Sequence, residues 1–93
     1  MKMAVLSATI QFHIPHAQSL KDKRMVSRSL IDGARRRFNV AIAEVDTQDR
    51  HQVLTIGIAV VSGEAGHARD MLEKVIQYLE GHADGELVGI RRG

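Results

Sequence analysis

The 93-residue sequence contains no cysteine and no tryptophan, and its aromatic residues are limited to two Phe and one Tyr. The absence of cysteine excludes disulfide bonds, a thiolate nucleophile and cysteine-ligated zinc or iron–sulfur sites. The scarcity of aromatic residues predicts an aliphatic core. At 44% hydrophobic residues, a chain of this length can bury such a core without a metal or a disulfide. We therefore expect a single domain over residues 1–93.

Long apolar runs and catalytic motifs are also absent. No apolar run approaches the ~18 residues of a membrane span. The first residues alternate like a strand and lack the apolar stretch and small-residue cleavage site of a secretory signal, which predicts a cytoplasmic protein. No glycine-rich phosphate loop, serine nucleophile motif or paired-carboxylate motif occurs. We therefore expect no enzymatic activity, no cofactor and no small-molecule substrate.

The positive charge is concentrated in one segment. The net charge of the chain is +2, but residues 19–38 carry seven Lys or Arg against two Asp, so the remainder is net negative. Ser19 and Asp22 have the spacing of a capping box, which predicts the start of a helix. Asn39 is expected to end this helix in the left-handed conformation. The predicted buried face consists of Leu20, Val26, Leu30, Ile31, Ala34 and Phe38.

The other elements follow from period-two and helical patterns. Strands are predicted over residues 3–14, 40–46, 52–61 and 86–92, and a second helix is predicted to begin at residues 62–64, with a Ser62 cap and an acid in its first turn. The order is therefore βαββαβ. With right-handed crossovers, this order predicts an α+β, ferredoxin-like split β-α-β sandwich. Its four-stranded antiparallel sheet would have the order 4-1-3-2, with both helices on one face.

Two motifs carry a resemblance to a known family. Residues 19–24 read Ser-Leu-Lys-Asp-Lys-Arg, and residues 38–45 contain Phe-Asn-Val followed by Ala-Glu-Val. With the flanking segments, they resemble the YlxP-like family of small bacterial proteins of unknown function. Arg50 and His51 stand where that family tends to have an aromatic residue. The resemblance implies the ferredoxin-like fold and a genomic setting among translation and ribosome-maturation genes, without an established activity.

Four cations form a basic stripe on the first helix. At ~100° per residue, Lys21, Arg24, Arg28 and Arg35 fall within about 60° of arc beside the apolar face. Arg28 and Asp32 have the spacing of an i,i+4 ion pair, which would neutralise part of the stripe. One interpretation is a solvated helix face. The other is a strip that binds nucleic-acid phosphates, for which bidentate arginines are well suited.

Two further groups of polar residues have alternative interpretations. Lys23 points towards the apolar face of its helix, and Glu44 lies in an otherwise apolar strand, so we expect a structural ion pair between them rather than a catalytic lysine. His13 and His16 have a spacing that a metal site could use with His51 or Glu44. No third ligand is specified, so polar loop histidines are the preferred interpretation and no metal is predicted.

The predicted fold leaves one sheet face without helices. Its candidate residues are Val5, Ser7, Thr9, Gln11, Val53, Thr55, Gly57 and Ala59. This open sheet face is neither plainly polar nor plainly apolar, so it is a candidate contact surface with Val5, Val53 and Thr55 near its centre. It lacks the aromatic residues on which an RNA-recognition motif stacks bases. Phe12, the one aromatic residue of the first and third strands, alternates to the helix side.

Two functional hypotheses from different classes follow. The first is a non-catalytic module that binds RNA or the ribosome through the phosphates that the basic stripe would hold. The second is a protein-interaction module that forms homo-oligomers through the open sheet face or the edge strands. The salt dependence of RNA binding distinguishes them, because only the first predicts a steep dependence.

Overall fold

Alternating apolar residues form the two central strands of the computed structural model, which describes residues 1–93. In β1 (Ala4–His13), the side chains of Ala8, Ile10 and Phe12 point into the core, and those between them point to the other side of the sheet. β3 (Val53–Ser62) pairs with β1 in antiparallel register, with Ile10 opposite Ile56 and Phe12 opposite Leu54. Directly opposed residues share a face, so these pairs join into one apolar layer.

The remaining elements complete a βαββαβ order. They are α1 (Leu20–Arg37), β2 (Ala41–Glu44), α2 (Ala65–His82) and β4 (Glu86–Arg92). The antiparallel sheet has the order β2-β3-β1-β4, which is the predicted order read from its other edge. Both helices cover the same sheet face, so the predicted ferredoxin-like sandwich is confirmed. Neither helix combines the length and the apolar character needed to cross a membrane.

The start of α1 agrees with the capping prediction, but its end does not. Ser19 Oγ accepts a hydrogen bond from the Asp22 N–H at 3.1 Å, while the Asp22 carboxylate accepts one from the N–H of Gln18 at 3.0 Å. At the other end, Phe38 is extended with φ −133°, and Asn39 does not adopt the left-handed conformation. Asp46, with φ 65°, is the one non-glycine residue that does. The bend after β2, rather than the end of α1, therefore needs this backbone geometry.

The start of α2 also differs from the prediction. Ser62 belongs to β3, and the helix is preceded by Glu64, whose side chain makes no capping hydrogen bond. Ser62 Oγ instead accepts a hydrogen bond from the Glu64 N–H at 3.1 Å, which forms a turn ahead of the helix. The first turn of α2 contains no acidic residue. A cap-like Ser thus supports the strand-to-helix turn here and not the helix itself.

The core lies between the sheet and the two helices. It is aliphatic except for Phe12, the largest fully buried side chain. Phe38, predicted as a core residue of the first helix, lies just after α1 and is only half-buried. It packs edge-on against Tyr78, with 5.7 Å between ring centroids. The other large side chains of the core are Ile10, Ile14, Leu54, Ile56, Val75, Ile76 and Leu79.

An ion pair fastens the outer strand β4 to α2. Arg92 donates two hydrogen bonds to the Glu73 carboxylate, from Nε at 2.8 Å and from Nη2 at 2.7 Å. This bidentate contact lowers the pKa of Glu73 and raises the pKa of Arg92, because each charge stabilises the other. The ion pair thus connects the edge strand β4 to the helix layer.

Candidate functional site

A shallow groove between α1 and β2 brings together three of the four cations of the basic stripe. Arg24, Arg28 and Arg35 line it, since they share one side of α1, and the neighbouring strand contributes Ala43 and Glu44. The apolar face of α1 packs on the sheet next to β2, so the side of the helix that carries the stripe lies beside this edge strand. Lys21, one turn before Arg24, extends the stripe beyond the groove. The arrangement is a concave, positively charged surface.

One predicted ion pair of this groove is not formed. Arg28 forms no ion pair with Asp32; instead Arg35 Nη1 lies 3.8 Å from the Asp32 carboxylate. Arg35 Nη2 also donates a hydrogen bond of 2.8 Å to the carbonyl oxygen of Ile42 in β2. Arg35 is therefore held against the strand. The side chains of Lys21, Arg24 and Arg28 are exposed and have no protein partner.

Lys23 lies beneath the groove and is 0% exposed. Its Nζ is 2.8 Å from Glu44 Oε2 and donates hydrogen bonds to the carbonyl oxygens of Thr47 (2.5 Å) and Val53 (3.2 Å). The Glu44 side chain is 14% exposed, and its buried Oε2 has the Lys23 ammonium group as its one partner in the protein. The structure thus brings the two predicted partners together, and Lys23 neutralises the carboxylate that β2 contributes to the groove.

Polar contacts extend from Thr47 to the open sheet face. Thr47 and Thr55 are hydrogen-bonded through their hydroxyls at 2.9 Å, and Gln11 Nε2 donates to Thr55 Oγ1 at 3.0 Å. Thr55 is consequently only 6% exposed. The expectation that it lies at the centre of a contact surface is corrected, because Gln11 and Thr47 cover it. The sequence pattern could not show this, since Thr47 lies outside the predicted strands.

The exposed part of the open sheet face is a shallow valley of small residues. Val5 and Val61 stand opposite each other at one end and are mostly exposed, whereas Val53 is half-buried at the other. The valley between them is lined by Ser7, Thr9, Ala41, Ala43, Gly57 and Ala59. The alanines of β2 were missed in the sequence pattern, although their register opposite Gly57 and Ala59 places them on this face. The apolar floor is suited to a flat partner.

The histidines that had the spacing of a metal site are dispersed. His16 Nε2 lies 3.3 Å from the Asp84 carboxylate, while His13 and His51 line a separate depression beside the β2–β3 turn. No three His, Asp or Glu side chains are arranged to hold a metal ion.

Comparisons with known proteins place the chain in a family. A family model described as a protein of unknown function, DUF503, matches residues 5–92. The uncharacterized protein YlxP of Bacillus subtilis (strain 168) is 34% identical over 64 residues, which are 69% of this chain and 70% of that protein. The chain therefore belongs to the DUF503 family, whose function is unknown.

Solved structures similar to the chain share its fold. A de novo designed protein with a ferredoxin fold, determined by solution NMR, superposes with a TM-score of 0.56 at 16% identity, over 100% of this chain and 84% of that one. A second designed protein, Ferredog-Diesel, has a TM-score of 0.48 at 11% identity, over 100% of this chain and 87% of that one. At such low identity, the first of these likenesses concerns the fold alone.

Proposed function

We propose that this protein is a non-catalytic RNA-binding module of the translation machinery, which holds backbone phosphates of RNA or the ribosome on Lys21, Arg24, Arg28 and Arg35. The proposal rests on which charges are paired in the groove between α1 and β2. Both carboxylates of the groove already have a cationic neighbour, since Glu44 is paired with Lys23 and Asp32 lies near Arg35. Arg24 and Arg28 have no partner, and an arginine can hold a phosphate with two parallel hydrogen bonds.

The four cations have unequal parts in this proposal. Arg35 is bound to the carbonyl oxygen of Ile42, so it contributes a fixed positive charge to the groove wall. Lys21, Arg24 and Arg28 are free to move onto phosphates. Contacts to phosphates do not distinguish one base from another, so this surface should recognise RNA by its charge and shape and not by its sequence. The expected affinity is weak, with a Kd on the order of 10⁻⁴ to 10⁻⁶ M at physiological salt.

The salt dependence of RNA binding tests the proposal. Three phosphate contacts on single-stranded RNA release counterions, so log K should fall with log salt at a slope of about −2. The double variant Arg24→Gln/Arg28→Gln should flatten this slope by ~1.4, because two contacts are lost. The measurement is a fluorescence titration of a short labelled RNA at several salt concentrations. Both side chains are exposed, so stability should change by no more than about 0.5 kcal/mol.

A matched control separates a local site from the effect of net charge. The variant Arg50→Gln/Arg69→Gln also removes two exposed, unpaired arginines, but from the β2–β3 turn and from α2. It should keep the slope of the unmodified protein. If both double variants flatten the slope equally, RNA is attracted by the net charge of the protein and not by the basic stripe. If the slope of the unmodified protein is already shallow, the proposed RNA binding is wrong.

A second candidate function, homodimerisation through the open sheet face, is favoured by the small-residue valley. Two valleys can approach closely face to face, and the helices with their basic stripes then remain outside. Asp46 and Arg91 lie on opposite borders of a depression on this face. A surface that carries both signs of charge can be self-complementary, as an isologous interface requires. A stable interface needs at least about 1,000 Å² in total.

Sedimentation of a valley variant tests this second candidate. Ala59→Lys places a charge on the valley floor beside Ala41 and Ser7, so a dimer should dissociate into folded monomers. Gln77→Lys adds the same charge on the exposed side of α2 and should leave the dimer intact. An unmodified protein that sediments as a monomer at every concentration would eliminate the homodimer.

A further inference from the structure

The other flank of α1 carries a cluster of aromatic rings that the proposed phosphate contacts do not use. The ring of Tyr78 in α2 is stacked on the ring of His82, with centroids 4.0 Å apart and planes 19° from parallel. Phe38 meets Tyr78 edge-on, and the Arg37 guanidinium lies 5.4 Å from the Tyr78 centroid. The one Tyr and one of the two Phe of the sequence are thus gathered at the ends of the two helices.

Tyr78 and His82 of this cluster form one wall of a groove of about 440 Å³ between α1 and the end of α2. The opposite wall is formed by Met25, Ser29 and Arg36 of α1. Met25 is 64% exposed, although it is a large apolar residue. The groove therefore combines aromatic rings, apolar side chains and a cation, which the α1–β2 groove does not. Asp84 also lines it, and its carboxylate lies 3.3 Å from His16 Nε2.

Two polar atoms of the aromatic wall, His82 Nε2 and Tyr78 Oη, have no hydrogen-bond partner in the protein. His82 Nδ1 is 2.8 Å from the carbonyl oxygen of Tyr78. A carbonyl oxygen only accepts, so Nδ1 carries the proton and the ring is fixed, with Nε2 left free. The Tyr78 hydroxyl lies directly on the backbone of α1 at Gly33, where a Cβ would overlap it. That hydroxyl has no hydrogen-bond partner in the protein, and Tyr78 lines the groove.

We propose that this groove binds a nucleobase of the RNA strand whose phosphates lie on the basic stripe. The inference rests on the proposed function and adds a base-binding subsite to it. The base stacks on the exposed face of His82 and lies against Met25, while Tyr78 Oη and Ser29 Oγ reach its polar edge. Stacking of this kind accepts any base, because every base has a π-face. Sequence preference is accordingly small.

The geometry of α1 connects the two surfaces. Arg28 and Ser29 are neighbours in sequence and about 100° apart around the helix, so the two grooves lie on either side of one exposed ridge. A strand that crosses this ridge can place phosphates at Arg24 and Arg28 and an adjacent base at His82. Arg36 lies on the groove side and can hold a further phosphate there.

A mononucleotide titration tests the subsite without relying on the stripe. Adenosine 5′-monophosphate should shift the NMR ring signals of Tyr78, the one Tyr in the sequence, and of His82, with a Kd on the order of 10⁻³ M or weaker. Ribose 5-phosphate has the same phosphate and no base, so it should leave Tyr78 unmoved. Equal shifts with both compounds, or no shift at Tyr78 with the nucleotide, would overturn the proposal.

Oligonucleotides then separate the subsite from the proposed function. A single-stranded deca-adenylate should bind more tightly than the abasic backbone of the same length, by about 5- to 150-fold. His82→Ala should abolish this preference and keep the salt slope, whereas His82→Phe should restore it. His67→Ala, which removes a histidine bonded to Ser62 at the other end of α2, should change neither.

The outcomes are distinguishable. If the deca-adenylate and the abasic backbone bind equally with a steep salt slope, the base subsite fails and the phosphate-binding function stands. If the nucleotide shifts Tyr78 but the salt slope of RNA binding is shallow, the basic stripe fails and the base subsite stands.

Discussion

Replacement of Lys23 by Met is expected to lower the free energy of unfolding by about 3–5 kcal/mol, which is a large part of the ~5–15 kcal/mol of a small domain. Methionine fills similar space but cannot donate hydrogen bonds. The Glu44 carboxylate would lose its counter-charge, and the Thr47 carbonyl oxygen would lose its 2.5 Å hydrogen bond. We expect a value in the lower half of the range, because Glu44 is 14% exposed and keeps some water. Chemical denaturation with a constant slope measures the change.

A double variant distinguishes a buried unpaired charge from lost packing. Lys23→Met/Glu44→Met removes both charges, so it should recover much of the stability that Lys23→Met loses. Lys21→Met changes an exposed lysine of the same helix and should shift stability by no more than about 0.5 kcal/mol. A double variant as unstable as the single one would show that Lys23 acts through its contacts to Thr47 and Val53 and not through Glu44.

Phe12→Ala is expected to cost about 3–5 kcal/mol. Phe12 is 1% exposed and is the largest fully buried side chain, so its removal should leave a cavity that the paired strands β3 and β4 cannot close. The same denaturation experiment measures it. Phe38→Ala provides the comparison, because Phe38 is half-buried at the end of α1 and should cost about 2 kcal/mol. Equal losses for the two variants would contradict the greater burial of Phe12.

The sequence was sufficient to predict the architecture, because its local signals agree with one another. The alternation in residues 3–14, the apolar face of the first helix and the order of the elements all require the same two-layer packing. The element ends were less predictable. Asn39 and Ser62 have side chains that suit helix ends, but the first is not left-handed and the second belongs to a strand. Such residues serve several kinds of turn, and the tertiary fold selects one.

The polar contacts were predictable only where a residue contradicted its pattern. Lys23 interrupts an apolar helix face, and Glu44 interrupts an apolar strand, so each needed a partner. Arg35 and Asp32 gave no such signal, because an exposed helix offers several pairings of similar free energy. The stack of Tyr78 on His82 was not predicted either, because neither residue contradicts the pattern of its helix. An aromatic residue four positions before a histidine is the signal that could have indicated it.

The hydrogen bond from Arg35 to the carbonyl oxygen of Ile42 also bears on aggregation. β2 and β4 are the two edges of the sheet, and an edge strand is a template on which a strand of another molecule can add. At β2 the arginine occupies one backbone acceptor with a bulky charged group, and the strand is only four residues long. β4 has seven residues, with Leu87 and Val88 exposed in its first half, and Val88 lies at an irregularity in the pairing with β1. β4 is therefore the longer edge open to strand addition, and Val88→Lys, at the irregularity that already interrupts this edge, should hinder such addition further.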